Sequence, residues 1–249
     1  MTKGLVPYYS RPEHLADPFL GTWHAENVFS QTVADAVMQE VFDSGSLEPM
    51  RDDSNSATNQ KFERLVVDLT REHGFPQLEE LGRQIGRFVV LSTGGRFPAL
   101  GEFQIDEAAV QIYPPDVDLA LGWHRDHPDD KHLVMSAILA GRGDIGFTEK
   151  TYEEAKRGVA DDEIVATIST EPLDVVYFRA NGLYEREDGS DIRETHAVTR
   201  TNPGVPRFTI QYRQGVNAAA YGNVPVNDKA PLRQRRPPLV MPVGQPNVR

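Results

Sequence analysis

Gln111-Ile-Tyr-Pro-Pro-Asp-Val-Asp-Leu-Ala-Leu-Gly-Trp-His-Arg-Asp-His127 is the stretch on which the reading of this chain turns. Near its end stands His124-Arg125-Asp126. On a strand or extended rim, residues i and i+2 point to one face, so an imidazole and a carboxylate at this spacing can converge on a single ion. A third ligand has to come from elsewhere. Of the seven histidines only His196 lies far downstream, opening the apolar His196-Ala-Val that reads as a returning strand. Two histidines and one carboxylate occupy one face of an octahedral iron(II) and leave three positions open for a cosubstrate and oxygen. A His-x-Asp pair alone has a plainer meaning, a surface histidine beside a solvated carboxylate.

Eleven residues past His196 comes Arg207-Phe-Thr-Ile-Gln-Tyr-Arg213. By period two, Arg207, Thr209, Gln211 and Arg213 share one face of this strand, and Phe208, Ile210 and Tyr212 the other. Two arginines on a polar face call for anions. A dicarboxylate supplies them: Arg207 can fork onto its distal carboxylate, and Arg213 can pair with the metal-proximal carboxylate or with Asp126. On an exposed strand the same two arginines would simply be solvated.

Outward from this region the apolar period divides the chain. Ser30 can cap a helix carrying Val33, Ala34, Val37, Met38 and Val41. Phe62, Leu65, Val66 and Leu69 make a second helical stripe closed by Gly74, and Leu78, Leu81, Ile85, Phe88 and Val89 a third starting near Pro76. Polar Arg51–Asn59 between them reads as loop or lid. From Ala108 short strands are expected at Ala108–Tyr113, Leu133–Leu139, Ile164–Ser169, Leu173–Phe178, His196–Val198 and Arg207–Arg213. Arg142–Asp162, apart from a helical turn at Tyr152–Arg157, and Arg179–Glu194 read as rim loops. The expected fold is α+β: a double-stranded β-helix, the jelly roll of cupin-like proteins, buttressed by N-terminal helices. Residues 1–105 would be helical support and substrate lid, 106–216 the catalytic core, and 217–249 a tail with six prolines and five basic residues against Asp228.

The chain lacks cysteine, which excludes disulfides, iron–sulfur clusters and thiol nucleophiles and leaves a metal only nitrogen and oxygen ligands. A net charge of −11 argues against a nonspecific nucleic-acid binder. No apolar run approaches the roughly 18 residues of a membrane span, and the amino terminus has no signal-peptide core, so a cytoplasmic location is expected.

His124-x-Asp126, His196 and Arg207-x5-Arg213, in this order, resemble the AlkB-like branch of the iron(II)- and 2-oxoglutarate-dependent dioxygenases. The resemblance covers Gln111 to Gly215 and implies iron(II), 2-oxoglutarate and O2 as cofactor and cosubstrates. It implies His124, Asp126 and His196 as metal ligands and catalytic residues, and Gln111, Tyr113, Arg207, Thr209 and Arg213 around 2-oxoglutarate. The family uses Asn-x-Tyr on the strand before the first histidine; Tyr113 matches and Gln111 does not. Thr209 stands where the family usually has Asn, and Gln211 where it has Thr. AlkB-like repair enzymes generally place an acidic residue two positions after the ligand Asp, a position held here by Pro128. An Asp at 126, rather than Ala or Gly, is unlike a halogenase, and Arg207 rather than Lys is unlike the prolyl-hydroxylase branch. The implied reaction is hydroxylation of a C–H bond, or oxidative demethylation when that carbon bears nitrogen. Its substrate is either an N-alkylated nucleobase or a small metabolite or amino-acid side chain; a silent binding module is the remaining alternative. His127 and His132 read as rim residues or hydrogen-bond partners of the ligands, and Trp123 as packing.

Overall fold

In the computed structural model, the residues described are 6–9, 21–50, 60–93, 96–183 and 193–215. Eleven strands and three α-helices alternate along them. The front of the chain holds β1 (Val6–Tyr9), β2 (Thr22–Ala25), α1 (Gln31–Asp43), β3 (Glu63–Asp68) and α2 (Pro76–Thr93). Strands β4 (Glu107–Tyr113), β5 (Asp118–His124), β6 (Lys131–Ala140) and β7 (Gly143–Thr148) follow, then the short α3 (Tyr152–Ala155). The chain closes with β8 (Ala166–Thr170), β9 (Val175–Arg179), β10 (Thr195–Thr201) and β11 (Arg207–Gln214). A seven-stranded sheet in the order β1-β2-β9-β6-β11-β4-β3 faces a four-stranded sheet in the order β5-β10-β7-β8, all pairs antiparallel. This is the expected double-stranded β-helix, with α1 and α2 covering the outer face of the larger sheet.

Period-two alternation sorts the side chains between two layers. From β6, Leu133, Met135, Ala137 and Leu139 pack under the helices, while Val134 and Ile138 point between the sheets. Strand β9 repeats the division, with Val175 and Tyr177 outward and Val176 and Phe178 inward. Helix α1 begins as expected, with the Ser30 hydroxyl accepting the Val33 N–H at 3.3 Å. The Glu40 carboxylate of α1 in turn accepts the Gln77 and Leu78 N–H groups at 3.0 and 2.9 Å, capping α2 from its neighbour. Tyr212 then ties α2 to β11 by donating to the Leu78 carbonyl at 2.8 Å. No helix among the described residues is long and apolar enough to cross a membrane.

Two expectations are corrected. Phe62–Leu69 is not a helix: Glu63–Asp68 form an edge strand in continuous register with β4, from Glu63 opposite Ile112 to Asp68 opposite Glu107. Both faces of this strand are covered. Leu65, Val67 and Leu69 join the helical layer, while Phe62, Arg64 and Val66 line a cavity, and the two apolar sets together mimic helical spacing. Arg142–Asp162 is likewise not all loop, because Gly143–Thr148 runs between β8 and β10 with Ile145 and Phe147 buried. The Tyr152–Arg157 turn corresponds to α3. The proposed lid at 51–59, the 184–192 part of the Arg179–Glu194 loop and the basic tail lie outside the described residues.

Candidate metal centre

Strand pairing between β5 and β10 sets His196 opposite His124, so the last residue of one strand meets the beginning of the other. Asp126 follows two residues on, and one ligand atom from each of His124, Asp126 and His196 lies within 4.8 Å of the other two. Among the described residues no other group of three potential ligands converges in this way. The His196 Nε2 stands 3.9 Å from an Asp126 oxygen, and the two imidazole rings are 4.4 Å apart, centroid to centroid.

Each imidazole is held by its other nitrogen. Nδ1 of His124 sits 2.8 Å from the Gly122 carbonyl, and Nδ1 of His196 3.2 Å from the Glu194 carbonyl. A carbonyl only accepts, so Nδ1 carries the proton in both rings and each Nε2 keeps its lone pair for an ion. Phe178 stacks on His196 at 4.3 Å, fixing the plane of that ring. Burial pushes both imidazoles down to about 4, with the neighbouring His196 lowering His124 further. They are therefore neutral at pH 7, the form a metal requires.

The segment leading into β10 ties these pieces together. Arg193 donates to the Asp126 carbonyl, and Arg125 donates to Thr195 Oγ1 at 3.0 Å. Glu194, whose carbonyl holds His196, is itself fixed by a fully buried ion pair with Arg179 at 2.9 Å. None of these contacts has a local sequence signal, since each joins residues far apart in the chain.

On the floor of the site the inner faces of β3, β4 and β11 line up in rows: Arg64, Gln111 and Thr209; Val66, Ala109 and Gln211; Asp68, Glu107 and Arg213. Every residue from Arg207 to Arg213 is buried, which excludes the solvated-strand alternative. A small cavity opens beside His196 and is lined by Arg207, Tyr113, Gln111, Ser136 and Phe178 among others. Arg207 is 1% exposed, donates to Thr170 Oγ1 at 3.2 Å, and lies 5.6 Å from the centre of the Tyr113 ring. Its Nε has no acceptor, and no carboxylate among the described residues pairs with it. Burial lowers its affinity for a proton, with Tyr113 and Asp144 opposing. The Tyr113 hydroxyl donates to Gln111 Oε1 at 2.8 Å, and burial raises its pKa.

Arg213 differs from Arg207. Its Nε is 3.3 Å from Glu107, its Nη1 3.8 Å from Asp130, and its Nη2 donates to Gln211 Oε1 at 2.7 Å. Burial raises both carboxyls against the pull of Arg213, Asp130 to about 7. A larger cavity borders this network and reaches His124 and Asp126. His127 lines it, and Asp130 accepts the His127 N–H at 3.1 Å; His132 packs edge-on against Phe103. Trp123 is buried with Ala155 and Ala197, as a packing residue should be.

Gly143 is a site residue that the sequence left unmarked. A Cβ there would come within 2.8 Å of Arg207 Cδ and 2.7 Å of the Arg200 carbonyl, so the missing side chain is what seats the guanidinium. Gly143→Ala is expected to displace Arg207 and lower stability by about 1–3 kcal/mol, measured as a fall in the denaturation midpoint. An unchanged midpoint would show that the close approach is dispensable.

No protein-family model matches the sequence, and no curated protein does. Among solved structures, OsALKBH1 superposes with a TM-score of 0.53 at 13% identity, over 78% of this chain and 98% of that one. A Trichoplax adhaerens prolyl hydroxylase bound to a fragment of hypoxia inducible factor gives 0.48 at 15% identity, over 85% and 90% of the two chains. A Pseudomonas putida prolyl-4-hydroxylase gives 0.46 at 14%, over 82% and 97%. The chain thus folds as an α+β protein with a double-stranded β-helix core, in the manner of OsALKBH1.

Proposed function

We propose that this protein is an iron(II)- and 2-oxoglutarate-dependent dioxygenase, AlkB-like in its motif order, that oxidises a substrate C–H bond. One observation carries the reading: two neutral imidazoles and a carboxylate converge beside a small cavity lined by a buried arginine that has no ion-pair partner among the described residues. The donor set fits the ion, because iron(II) accepts imidazole nitrogen and carboxylate oxygen and both rings present Nε2. The lining suits a diacid chemically, because a buried guanidinium whose Nε–H has no acceptor is a ready receptor for an anion.

In this reading His124, Asp126 and His196 hold the metal and are the catalytic ligands. Arg207 takes the distal carboxylate of 2-oxoglutarate, Tyr113 and Gln111 form the polar wall beside it, and Thr209, whose hydroxyl donates to Gln111 Oε1 at 3.5 Å, supports that wall without lining the cavity itself. Arg213 braces the proximal end, with its charge balanced by Glu107 and Asp130 rather than by Asp126. When bound, iron(II), 2-oxoglutarate and O2 together supply the oxidant for hydroxylation. The protein supplies fixed ligand geometry, a counter-charge for the cosubstrate and exclusion of water.

Residues 1–105 would serve as support and substrate lid, 106–216 as the catalytic core. An N-alkylated nucleobase and a small metabolite or amino-acid side chain are the two substrate classes to separate, and a net charge of −11 favours the smaller substrate. Aerobic incubation with iron(II), 2-oxoglutarate and ascorbate is expected to yield succinate slowly without added substrate. Metal-loaded protein that binds 2-oxoglutarate and makes no succinate would instead identify a silent binding module.

A further inference from the structure

Gln211 stands on the boundary between the two cavities and lines both. Its row on the sheet also holds Val66 and Ala109, which border the larger cavity alone, so this part of the floor belongs to the space from which a substrate would approach His124 and Asp126. The orientation of its amide is set by Arg213. A guanidinium can only donate, so the Gln211 atom 2.7 Å from Arg213 Nη2 is the oxygen. The amino group is left over. It has no acceptor among the described residues, and unlike the orphaned oxygens of Glu107 it is not sealed inside the protein. The residue as a whole is 7% exposed, so a rigidly held donor is presented from an otherwise buried side chain.

The charged groups on the same wall are already engaged. Arg64 holds Glu48 at 3.2 Å, Arg125 donates to Thr195 Oγ1 at 3.0 Å, and Arg213 lies 3.3 and 3.8 Å from Glu107 and Asp130. Glu107 reaches the wall with both oxygens buried, and Asp126 belongs to the candidate metal centre. A carboxylate or an ammonium leaving water for this space would have to displace one of these pairings or remain unpaired, and either is costly. An uncharged carbonyl gives up far less hydration, and a hydrogen bond from Gln211 replaces what it loses. Phe62, Val66 and Leu121 offer hydrocarbon contacts in the same cavity.

We infer that Gln211 is a specificity-determining residue, donating through its amide N–H₂ to the oxygen of a small, uncharged carbonyl compound whose hydrocarbon lies against Phe62, Val66 and Leu121. A carboxamide is the simplest member of that class. That the compound is a substrate rests on the oxygenase reading; that it binds does not.

Calorimetric titration tests the inference on protein loaded with zinc(II) and 2-oxoglutarate, where no turnover occurs. Short aliphatic and aromatic carboxamides are each titrated beside the acid and the amine of the same carbon skeleton. At least one carboxamide is expected to bind about tenfold more tightly than either relative, a difference of ~1.4 kcal/mol. Gln211→Met removes the donor at similar length and is expected to weaken that carboxamide about three- to tenfold, leaving the affinity for 2-oxoglutarate unchanged. Gln211→Glu keeps an acceptor for Arg213 and loses the donor, and should weaken the carboxamide likewise. Gln39→Met, at an exposed amide of α1 that donates to Asp43, should change neither affinity. Should Gln211→Met not fold, as circular dichroism would show, Gln211→Glu carries the test. Equal binding of the three chemistries, no binding by any carboxamide, a preference for acid or amine, a carboxamide preference that survives these substitutions, an equal loss of 2-oxoglutarate affinity, or tighter binding of methylated single-stranded DNA overturns the inference. Failure to bind zinc(II) and 2-oxoglutarate would count against the oxygenase reading instead, and the same compounds are then titrated into the metal-free chain with the same expectations.

Discussion

His196→Ala is expected to lower affinity for a divalent transition metal by more than about 100-fold, beyond the roughly 10- to 100-fold that loss of an outer hydrogen-bond partner costs. Only His124 and Asp126 would remain, and these are neighbours in sequence that cannot close a facial triad. Cobalt(II) titration followed by visible absorption reads the change directly. The ring also stacks on Phe178, so the variant loses some stability for packing reasons that have nothing to do with metal. A second readout separates the two effects. Metal present at 100 times its Kd stabilises a folded protein by about 2.7 kcal/mol, so a chelator should lower the unfolding temperature of the native protein and leave that of the variant where it is. A variant that still binds cobalt(II) tightly would remove His196 from the ligand set.

How much of this was legible before folding depends on how local each signal is. The alternation in Arg207–Arg213 survives intact, because polar and apolar residues answer to two different layers, one facing the cavities and one facing α1 and α2. His124 and Asp126 are readable from spacing, and His196 from being the one histidine far downstream. Strand β3 is not readable as a strand, since both its faces are covered and its apolar residues fall at helical intervals. That error hid Arg64, which sits on a helix face in the sequence reading and on a cavity wall in the folded chain. In β7 the glycines look like loop signals. Gly143 is there because Arg207 fills the space of its side chain, and that requirement belongs to a strand more than sixty residues away. The same distance conceals the partners of Arg213. Whether that guanidinium meets Asp126, or Glu107 and Asp130, is decided by which strands neighbour β11, and nothing in the local sequence encodes it.

The difference between the two arginines yields a second prediction, in which binding and stability move apart. Arg207→Met is expected to weaken 2-oxoglutarate binding by on the order of 2–5 kcal/mol, roughly thirtyfold to several thousandfold, because a buried charge-assisted contact is lost. Most single changes in a core that abolish binding also destabilise the fold, but this one should not. The guanidinium is 1% exposed, has one hydroxyl acceptor and the face of Tyr113, forms no ion pair with a carboxylate among the described residues, and has only the more distant charge of Asp144 to offset part of its desolvation. A buried charge without a partner is a cost, and replacing it by a methionine of similar length removes that cost while filling the same space. The ligand-free variant should therefore unfold at the same temperature as the native protein or higher. Added 2-oxoglutarate should stabilise only the native form. Arg213→Met should do the opposite to the fold, since it strands the buried carboxylates of Glu107 and Asp130 and is expected to cost about 3–5 kcal/mol. Denaturant titrations of both variants, with and without 2-oxoglutarate, check the contrast. A ligand-free Arg207→Met protein that is as badly destabilised as Arg213→Met, or one that binds 2-oxoglutarate as the native chain does, would mean that Arg207 is a structural residue rather than an anion receptor.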